Sequence, residues 1–325
     1  MAIPRLRTAL LNHDLKVSKE IAKSNLDPNG LISTLYELIF FSISVQFDND
    51  LIHHPVCLVN SIKNFIGDDK DNPSESLINF AIDYITEFEL RRNDTIDLES
   101  LTDNKEISTA FIGDLEDAYQ SGNWGQLEKV MKKVFIASDR SRAIFDTLSE
   151  LALQDSPRNA IFIYHILRAY QFQGQKEDNW AFIKCIFTQL CMEKPKDVHR
   201  TCNIDIDSIR KKIIENGDIV YFSAIDRILS GDYVRSRGYQ RELSYWLSQI
   251  AYVNTSENQI YKDDSLIMTN KRSFINYAKK IINSDRESSK KARDIVSLDA
   301  LRYIRRKVDR YDLLILGSRY NKLLQ

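Results

Sequence analysis

The chain contains few of the residues that interrupt helices, with 10 glycines and 6 prolines among 325 residues. Sheet-rich folds place glycine and proline at their many turns, so this scarcity favours long helices. Strand-like alternation of apolar and polar residues is limited to the short stretch NIDID at 203–207. The sequence therefore predicts an all-α fold.

Cysteines and long apolar runs are also scarce. The longest apolar stretch, LIFFSISVQF, is too short and too mixed to cross a bilayer. The first residues, MAIPRLRTALLNHDLKV, lack the apolar segment of a signal peptide. The spacing of the four cysteines does not match a secreted disulfide scaffold: Cys57, Cys185, Cys191 and Cys202. We therefore expect a cytoplasmic protein that does not contact a membrane.

Common catalytic motifs are missing as well. The sequence has no P-loop, GxGxxG, GxSxG or HExxH pattern, which disfavours nucleotide hydrolysis and ordinary hydrolase chemistry. The segment GDDKD at 67–71 is similar to the aspartate clusters that hold Mg²⁺-diphosphate, but it continues into the loop-like NPSES and so predicts a solvated turn. These patterns predict no cofactor.

Apolar residues recur along most of the chain at spacings of three and four, which is typical of amphipathic helices. The clearest segments are LISTLYELIFFSISV, SESLINFAIDYITEFEL, QLEKVMKKVFIAS, AIFIYHILRAYQF, NWAFIKCIFTQL and RELSYWLSQIAYV. Ser74 or Ser76 is the predicted cap of the helix near residue 75, and Asp205 and Asp207 stand before SIRKKII.

Three similar turns recur at a fixed spacing. The triplets NHD, SGN and SGD begin at residues 12, 121 and 230, which are 109 residues apart, and an apolar or aromatic residue follows each one. Gly122 and Gly231 suit the left-handed backbone at the end of a helix. The last residue of each triplet suits the cap of the following helix: Asp14, Asn123 and Asp232.

This spacing predicts a helical repeat of about three units of ~109 residues, built from antiparallel helix pairs and packed as one superhelical or ring-like domain. The predicted units are 1–104, 105–203 and 204–325. Chance similarity among amphipathic helices is the alternative. The turns LSGDYV and QSGNWG resemble the A-x-x-x-G-D-type turns of helical-repeat scaffolds and of the helical collar domains of clamp-loader-like ATPases. The resemblance is limited to the turns, and no ATPase module accompanies it.

A second alignment, shifted by 112 residues, pairs LIHHP (51–55) with IYHIL and INYAK and places His53, His165 and Tyr277 at equivalent positions. Neutral imidazoles ligate zinc or iron, so the candidate metal ligands are His53, His54 and His165. The Glu-x-x-His spacing of carboxylate-bridged sites is missing, and hydrogen-bonded core histidines are the alternative. Pro55 either begins a helix or kinks a longer one.

Two H-x-x-C pairs, His54–Cys57 and His199–Cys202, each place an imidazole near a thiolate. Four such ligands would suit a structural zinc, although the usual zinc signals are CxxC and CxxH. Ordinary packing of Cys57 inside a helix is the alternative.

Charge is distributed unevenly along the chain. Residues 66–117 hold 15 acidic and 4 basic side chains, whereas residues 266–325 hold 15 basic and 6 acidic ones. These regions either neutralise each other and face solvent, or the basic end meets nucleic acid or an acidic partner. The candidate nucleic-acid-binding residues, interleaved with aromatic side chains, are Lys279, Lys280, Lys290, Lys291, Arg305, Arg306 and Lys307.

Three hypotheses of function result. The first is a non-enzymatic α-helical repeat scaffold that binds a protein partner. The second is a metal- or pocket-dependent enzyme, with zinc or iron, built around His53, His165 and Tyr277. The third is nucleic-acid binding through the basic C-terminal helices, residues 271–310.

Overall fold

The computed structural model describes residues 6–91, 94, 111–173, 175–251, 262–267 and 269–324. Within these ranges the chain forms 16 α-helices and no strand, which confirms the all-α prediction. Val45 and Leu90 form an isolated antiparallel bridge. The stretch NIDID is not a strand, because a helix begins at Ile206 and Asp205 caps it by accepting from the amides of Asp207 and Ser208.

The helices are short and closely spaced. In chain order they are α1 (Leu6–Leu11), α2 (Leu15–Ser24), α3 (Pro28–Ile43), α4 (Pro55–Asp68), α5 (Glu75–Thr86), α6 (Ile112–Gln120), α7 (Trp124–Ala137), α8 (Ala143–Leu153), α9 (Ser156–Gln173), α10 (Asn179–Leu190), α11 (Ile206–Asn216), α12 (Ile219–Leu229), α13 (Ser236–Ala251), α14 (Lys271–Ile282), α15 (Ser288–Ile304) and α16 (Arg310–Leu324). Short 3₁₀ turns precede α4, α10 and α16.

Four helices form the centre of the molecule. Helix α4 packs on α9, α9 on α12, α12 on α15, and α15 returns to α4, so the four close a ring. We call α4, α9, α12 and α15 the four-helix ring. Helices from all three predicted repeat units enter it and share one hydrophobic core.

The other helices surround this ring. Helices α3 and α5 pack on α4, α8 packs on α9, and α13 contacts α12 and α8. Helices α14 and α16 pack on α15, while α10 packs against α8 and α6 pairs with α7. The four-helix ring is therefore covered on its outer side, so polar side chains that point inward are removed from water.

The predicted left-handed glycine is found at Gly122, which has a φ of 68°. His13 stands where the other two turns have glycine, and its backbone is left-handed as well, with a φ of 54°. Asp14 then caps α2 by accepting from the Val17 amide at 3.0 Å, and Asn123 caps α7 in the same way. These two turns share one geometry, as the aligned sequences suggest.

The third turn differs. Helix α12 ends at Leu229, but the next helix begins only at Ser236, so Asp232 does not cap it. Gly231 is not among the described residues with positive φ. The three-unit repeat thus stays a prediction, with matching turns in its first two units.

Of the two alternatives for Pro55, the structure shows the one in which it begins a helix. Pro55 begins α4, and His54 caps that helix by accepting from the Val56 amide at Nδ1, 3.2 Å away. His53 lies in the preceding 3₁₀ turn, whereas His165 and Tyr277 lie inside α9 and α14. The aligned positions therefore differ in local structure, because proline starts a helix here instead of bending one.

The predicted unit boundaries fall in two kinds of segment. The boundary at 104/105 lies outside the described residues. The boundary at 203/204 falls in residues 194–205, which connect α10 to α11 without regular structure. Among the described residues, no helix is both long and apolar enough to span a bilayer.

Candidate functional site

The predicted metal ligands have separate partners. The Nδ1 atom of His53 lies 3.1 Å from the Ser289 carbonyl oxygen. His54 is buried, and its Nε2 atom lies 3.7 Å from the thiol of Cys185. His165 is buried on α9, where its Nδ1 atom lies 2.9 Å from the amide nitrogen of Asn60. The described ranges contain no group of three or more His, Cys, Asp or Glu arranged to hold a metal ion.

Burial keeps two of these imidazoles neutral. It lowers the pKa of His54 to about 3, with Arg91 adding to the effect, and it lowers the pKa of His165 to about 3 as well. Tyr277, aligned with them in the sequence, instead packs edge-on against Tyr320 at 4.8 Å. Each of these residues acts as a packing or capping group in its own environment, and the metal site stays a prediction.

The two H-x-x-C pairs also have different surroundings. The Cys57 thiol points to the Leu51 carbonyl oxygen at 3.4 Å, and burial raises its pKa well above the usual range. The Nδ1 atom of His199 lies 2.6 Å from Glu242, and its ring stacks on Tyr245 at 3.9 Å. The two H-x-x-C pairs therefore lie in different environments, each with its own contacts.

The acidic and basic regions meet at Asp68 and Asp69. Asp68 lies 2.6 Å from Arg302, 3.6 Å from Arg306 and 3.7 Å from Lys271. Asp69 pairs with Arg272 at 3.8 Å. Two of the three GDDKD aspartates thus pair with the C-terminal region, which supports compensation of the two charged regions at this point of contact.

The candidate nucleic-acid residues fall into two sets. Arg305 donates from Nε to the Leu266 carbonyl oxygen at 3.0 Å, Arg306 contacts Asp68, and Lys307 contacts Asp226 at 2.9 Å. These three cations serve the protein's own acceptors. The other four form no ion pair with a described residue: Lys279, Lys280, Lys290 and Lys291.

A buried ion pair occupies the inside of the four-helix ring. Arg227 on α12 donates from Nη1 to Asp299 Oδ2 at 2.6 Å and from Nη2 to the Asp299 carbonyl oxygen at 2.7 Å. Its Nη1 also donates to the Tyr164 hydroxyl at 2.7 Å. The guanidinium lies 4.3 Å from the ring centre of Tyr303, so aromatic faces and a carboxylate surround the charge.

Asp299 has further donors around it. Arg302 donates to its Oδ1 from Nε at 3.1 Å and from Nη2 at 2.9 Å, and Asn64 donates to its Oδ2 at 3.1 Å. Burial alone would raise the pKa of Asp299, but the nearby Arg227 and Arg302 hold it well below the usual range. This carboxylate is therefore ionised at neutral pH.

Lys63 lies in the same region, buried, with its ammonium 5.0 Å from the ring centre of Phe172. Burial, with Arg168 next in importance, lowers the pKa of Lys63 to about 7, and Asp299 opposes this shift only in part. The three nearby arginines therefore disfavour the charged form of Lys63.

A cavity of about 280 Å³ opens beside this ion pair. Its ten described lining residues include four arginines and three tyrosines, and none is acidic: Asn64, Tyr164, Arg168, Arg227, Ser230, Gly231, Tyr233, Arg302, Tyr303 and Arg306. We call this cavity the arginine pocket. Arg227 and Arg302 form its inner wall, while Arg168 and Arg306 are exposed at its rim.

Two buried donors of the arginine pocket have no hydrogen-bond partner among the described residues. They are the Nε atom of Arg227 and the hydroxyl of Tyr233, which are 9% and 5% exposed as residues. A buried polar group without a partner costs free energy, so such groups are rare in native proteins. Both residues line the arginine pocket, so an acceptor brought to either donor would offset this cost.

The end of α12 builds one side of this pocket. Ser230 donates from Oγ to the Asp226 carbonyl oxygen at 2.7 Å and stands just after the last residue of the helix. The helix stops there, so Ser230 and Gly231 face the cavity. The SGD turn found in the sequence is therefore part of the pocket wall.

A larger cavity of about 1290 Å³ lies elsewhere. Phe40, Phe88 and Trp180 provide aromatic walls, and Arg91 and Asp94 stand where the chain continues into residues that the structure does not describe. The arginine pocket is the better-defined site, because its lining residues lie within the described ranges and come mainly from the four-helix ring.

The arginine pocket was missed at the level of sequence. The signal available was a charged residue inside an apolar helical stretch, as with Arg227 in FSAIDRIL and Asp299 in VSLDALRYI. Charged residues are rarely buried unless paired, so two such positions of opposite charge are candidates for a buried pair.

Comparison with protein-family models, with curated protein sequences and with solved structures gives no match for this chain.

Proposed function

We propose that this chain is a non-enzymatic helical binding protein, and that its ligand or protein partner places an anionic group in the arginine pocket. The observation that carries the proposal is a 280 Å³ cavity lined by four arginines and by no described acidic residue. Guanidinium groups present several donors in a fixed plane and suit carboxylate and phosphate oxygens. The three-unit helical repeat is kept as part of this proposal.

A purely structural role explains only part of the arrangement. The pair between Arg227 and Asp299 accounts for both Nη atoms of Arg227, and Asp68 and Asp299 account for Arg302. This pair does not account for Arg227 Nε or for the Tyr233 hydroxyl, which have no hydrogen-bond partner among the described residues. An anion in the pocket would satisfy both donors and would offset the cost of burying them.

Isothermal titration calorimetry with inorganic phosphate, sulfate and acetate tests the proposal, in sodium chloride buffers of constant ionic strength. We expect saturable binding of at least one anion at one site per chain. The double variant Arg168→Gln/Arg306→Gln removes both rim charges and should weaken binding about tenfold or more. Lys129→Gln, an exposed lysine on α7 outside the pocket, is the matched control. The proposal fails if none of the three anions binds saturably.

A second candidate function is binding of nucleic acid through the basic C-terminal helices. The observation that favours it is the set of four lysines without an ion pair to described residues, two near the end of α14 and two near the start of α15. Helices α14 and α15 are consecutive and pack on each other, so the four lysines lie on either side of the short connection between them. Unpaired cations are available to neutralise phosphates.

A further inference from the structure

We propose that the arginine pocket selects a doubly charged tetrahedral oxyanion, namely the terminal phosphate of a small phosphomonoester. This inference rests on the proposed function and specifies its ligand class. It depends on three features of the pocket: its residual charge, the number of its free donors and its size.

The residual charge of the pocket matches a dianion. Four guanidiniums line the cavity, and two carboxylates pair with them: Asp299 with Arg227 and Arg302, and Asp68 with Arg302 and Arg306. Two positive charges thus remain without a compensating carboxylate in these contacts. A phosphomonoester carries a charge of about −1.5 to −2 at pH 7, whereas a carboxylate carries only one negative charge.

The free donors of the pocket suit three oxygens better than two. Arg227 Nε and the Tyr233 hydroxyl have no partner among the described residues, and the Tyr164 hydroxyl accepts from Arg227 while keeping its own proton to donate. At the rim, Arg168 donates through Nη1 to Gln171, which leaves its other nitrogens without a bond to a described residue. Arg306 contacts Asp68 at 3.6 Å. Donors therefore surround the cavity from its inner wall to its rim.

The size of the pocket favours the end of a small molecule. A cavity of 280 Å³ lies just below the roughly 300–1,000 Å³ of typical small-molecule sites. An internal phosphodiester of a nucleic acid carries a single charge and has two of its oxygens esterified. A phosphodiester therefore offers fewer acceptors to the inner wall, where Arg227 and Tyr233 are buried. Nucleic-acid binding by the lysines of α14 and α15 would use a different surface.

The test compares two ligands of the same shape and different charge. Methyl phosphate is close to a dianion at pH 8, because the second pKa of phosphomonoesters is about 6. Methyl sulfate has nearly the same shape and a single charge. Titration calorimetry of the full chain at pH 8 and constant ionic strength should give about tenfold tighter binding of methyl phosphate than of methyl sulfate or acetate.

Two variants locate the binding. Tyr233→Phe removes one unpartnered donor and leaves the packing of the ring intact, so it should weaken methyl phosphate binding several-fold. Arg168→Gln should narrow the difference in affinity between methyl phosphate and methyl sulfate, while Lys129→Gln should leave it unchanged.

The outcomes separate the two levels of inference. Equal affinity for methyl phosphate, methyl sulfate and acetate would overturn the selection of a dianion and leave anion binding standing. Binding that Lys129→Gln weakens as much as Arg168→Gln does would place the anion outside the pocket and overturn both. An absence of saturable binding for every anion would overturn the proposed function itself.

Discussion

Arg227 and Asp299 form a buried ion pair inside the four-helix ring, with Nη1 of the arginine 2.6 Å from Oδ2 of the aspartate. The two residues are 72 positions apart and join α12 to α15. Because both charges are removed from water, each depends on the other for its solvation. The pair therefore both joins two helices of the four-helix ring and offsets one of the positive charges that line the arginine pocket.

The first prediction concerns the loss of this carboxylate. Asp299→Asn leaves Arg227 buried without a counter-charge and removes the acceptor of Arg302. Breaking one partner of a buried pair typically costs about 3–5 kcal/mol, and we expect a loss of that size in the free energy of unfolding. Urea denaturation at pH 7 measures it. Asp285→Asn, at an exposed position, should change stability little, and a loss below about 1 kcal/mol for Asp299→Asn would contradict a buried pair.

The same pair predicts a dependence on acid. The folded-state pKa of Asp299 lies below its unfolded value, so its contribution to stability is present above the unfolded pKa of about 3.9 and is lost as pH falls below it. The stability difference between the wild type and Asp299→Asn should therefore shrink between pH 5 and pH 2. Denaturation series of both proteins over this range measure it.

The second prediction concerns Lys63. Burial lowers its pKa from 10.5 to about 7, so the folded state binds this proton less readily than the unfolded state. Stability should therefore rise as pH increases from about 7 towards 10.5. Lys63→Met keeps the length of the side chain and removes the charge, and we expect a gain of about 1–3 kcal/mol at pH 7.

Denaturation of wild type and Lys63→Met at pH 6.5 and pH 9 provides the check. The gain should be larger at pH 6.5, since wild-type Lys63 is charged there. The exposed Lys290→Met controls for a general effect of methionine. A gain that does not change with pH would mean that Lys63 is not a buried charge.

Local chemistry is the part of this fold that the sequence predicts well. Asp205 caps α11, Asp14 and Asn123 cap α2 and α7, and the segment NWAFIKCIFTQL is α10 from end to end. These features depend on residues within one turn of each other, so spacing alone determines them. The C-terminal helices are divided by a break that spacing does not mark: α15 ends at Ile304, α16 begins at Arg310, and Tyr311 beyond the break is 50% exposed.

The pocket could not be predicted because its residues come from four separate helices. Asn64, Tyr164, Arg227 and Arg302 meet only when the four-helix ring closes. In the sequence, Arg302 belongs to a basic run and appears as a candidate for solvent or nucleic acid. Its contacts with Asp68 and Asp299 depend on tertiary packing across more than 200 residues of chain in the case of Asp68.

The third prediction separates stability from binding at Tyr233. Its hydroxyl is buried without a partner, so Tyr233→Phe removes a group that costs free energy in the empty pocket. We expect unchanged or slightly increased stability, by up to about 1 kcal/mol, in buffer without phosphate or sulfate. Tyr164→Phe is the comparison, because that hydroxyl accepts from Arg227 and its loss should destabilise. A clear loss of stability in Tyr233→Phe would indicate a partner for the hydroxyl within the protein.

The fourth prediction tests the equivalence of the first two turns. Gly122 has φ of 68°, and a Cβ there would meet only Pro195 atoms at 3.9 Å, so backbone strain is the main cost of a side chain. Gly122→Ala should destabilise by about 1 kcal/mol. His13 occupies the same conformation with a φ of 54°, and His13→Gly should be neutral or stabilise by several tenths of a kcal/mol. Thermal unfolding of both variants measures these effects, and a destabilising His13→Gly would show that the imidazole itself holds the first turn.

The fifth prediction tests the lysines of α14 and α15 against the cations beside them. Lys279→Gln, Lys280→Gln, Lys290→Gln and Lys291→Gln combined remove four charges that form no ion pair with described residues. If these helices bind nucleic acid, the quadruple variant should elute from heparin at lower salt and lose affinity for a single-stranded oligonucleotide, with a salt dependence reduced by up to about four charges.

Arg305→Gln and Lys307→Gln form the matched contrast, because Arg305 donates to the Leu266 carbonyl oxygen and Lys307 contacts Asp226. Removing these two cations should affect thermal stability more than heparin retention, since both already have acceptors within the protein. Equal retention of the wild type and the quadruple variant at low salt would show that the four lysines do not contribute to heparin binding.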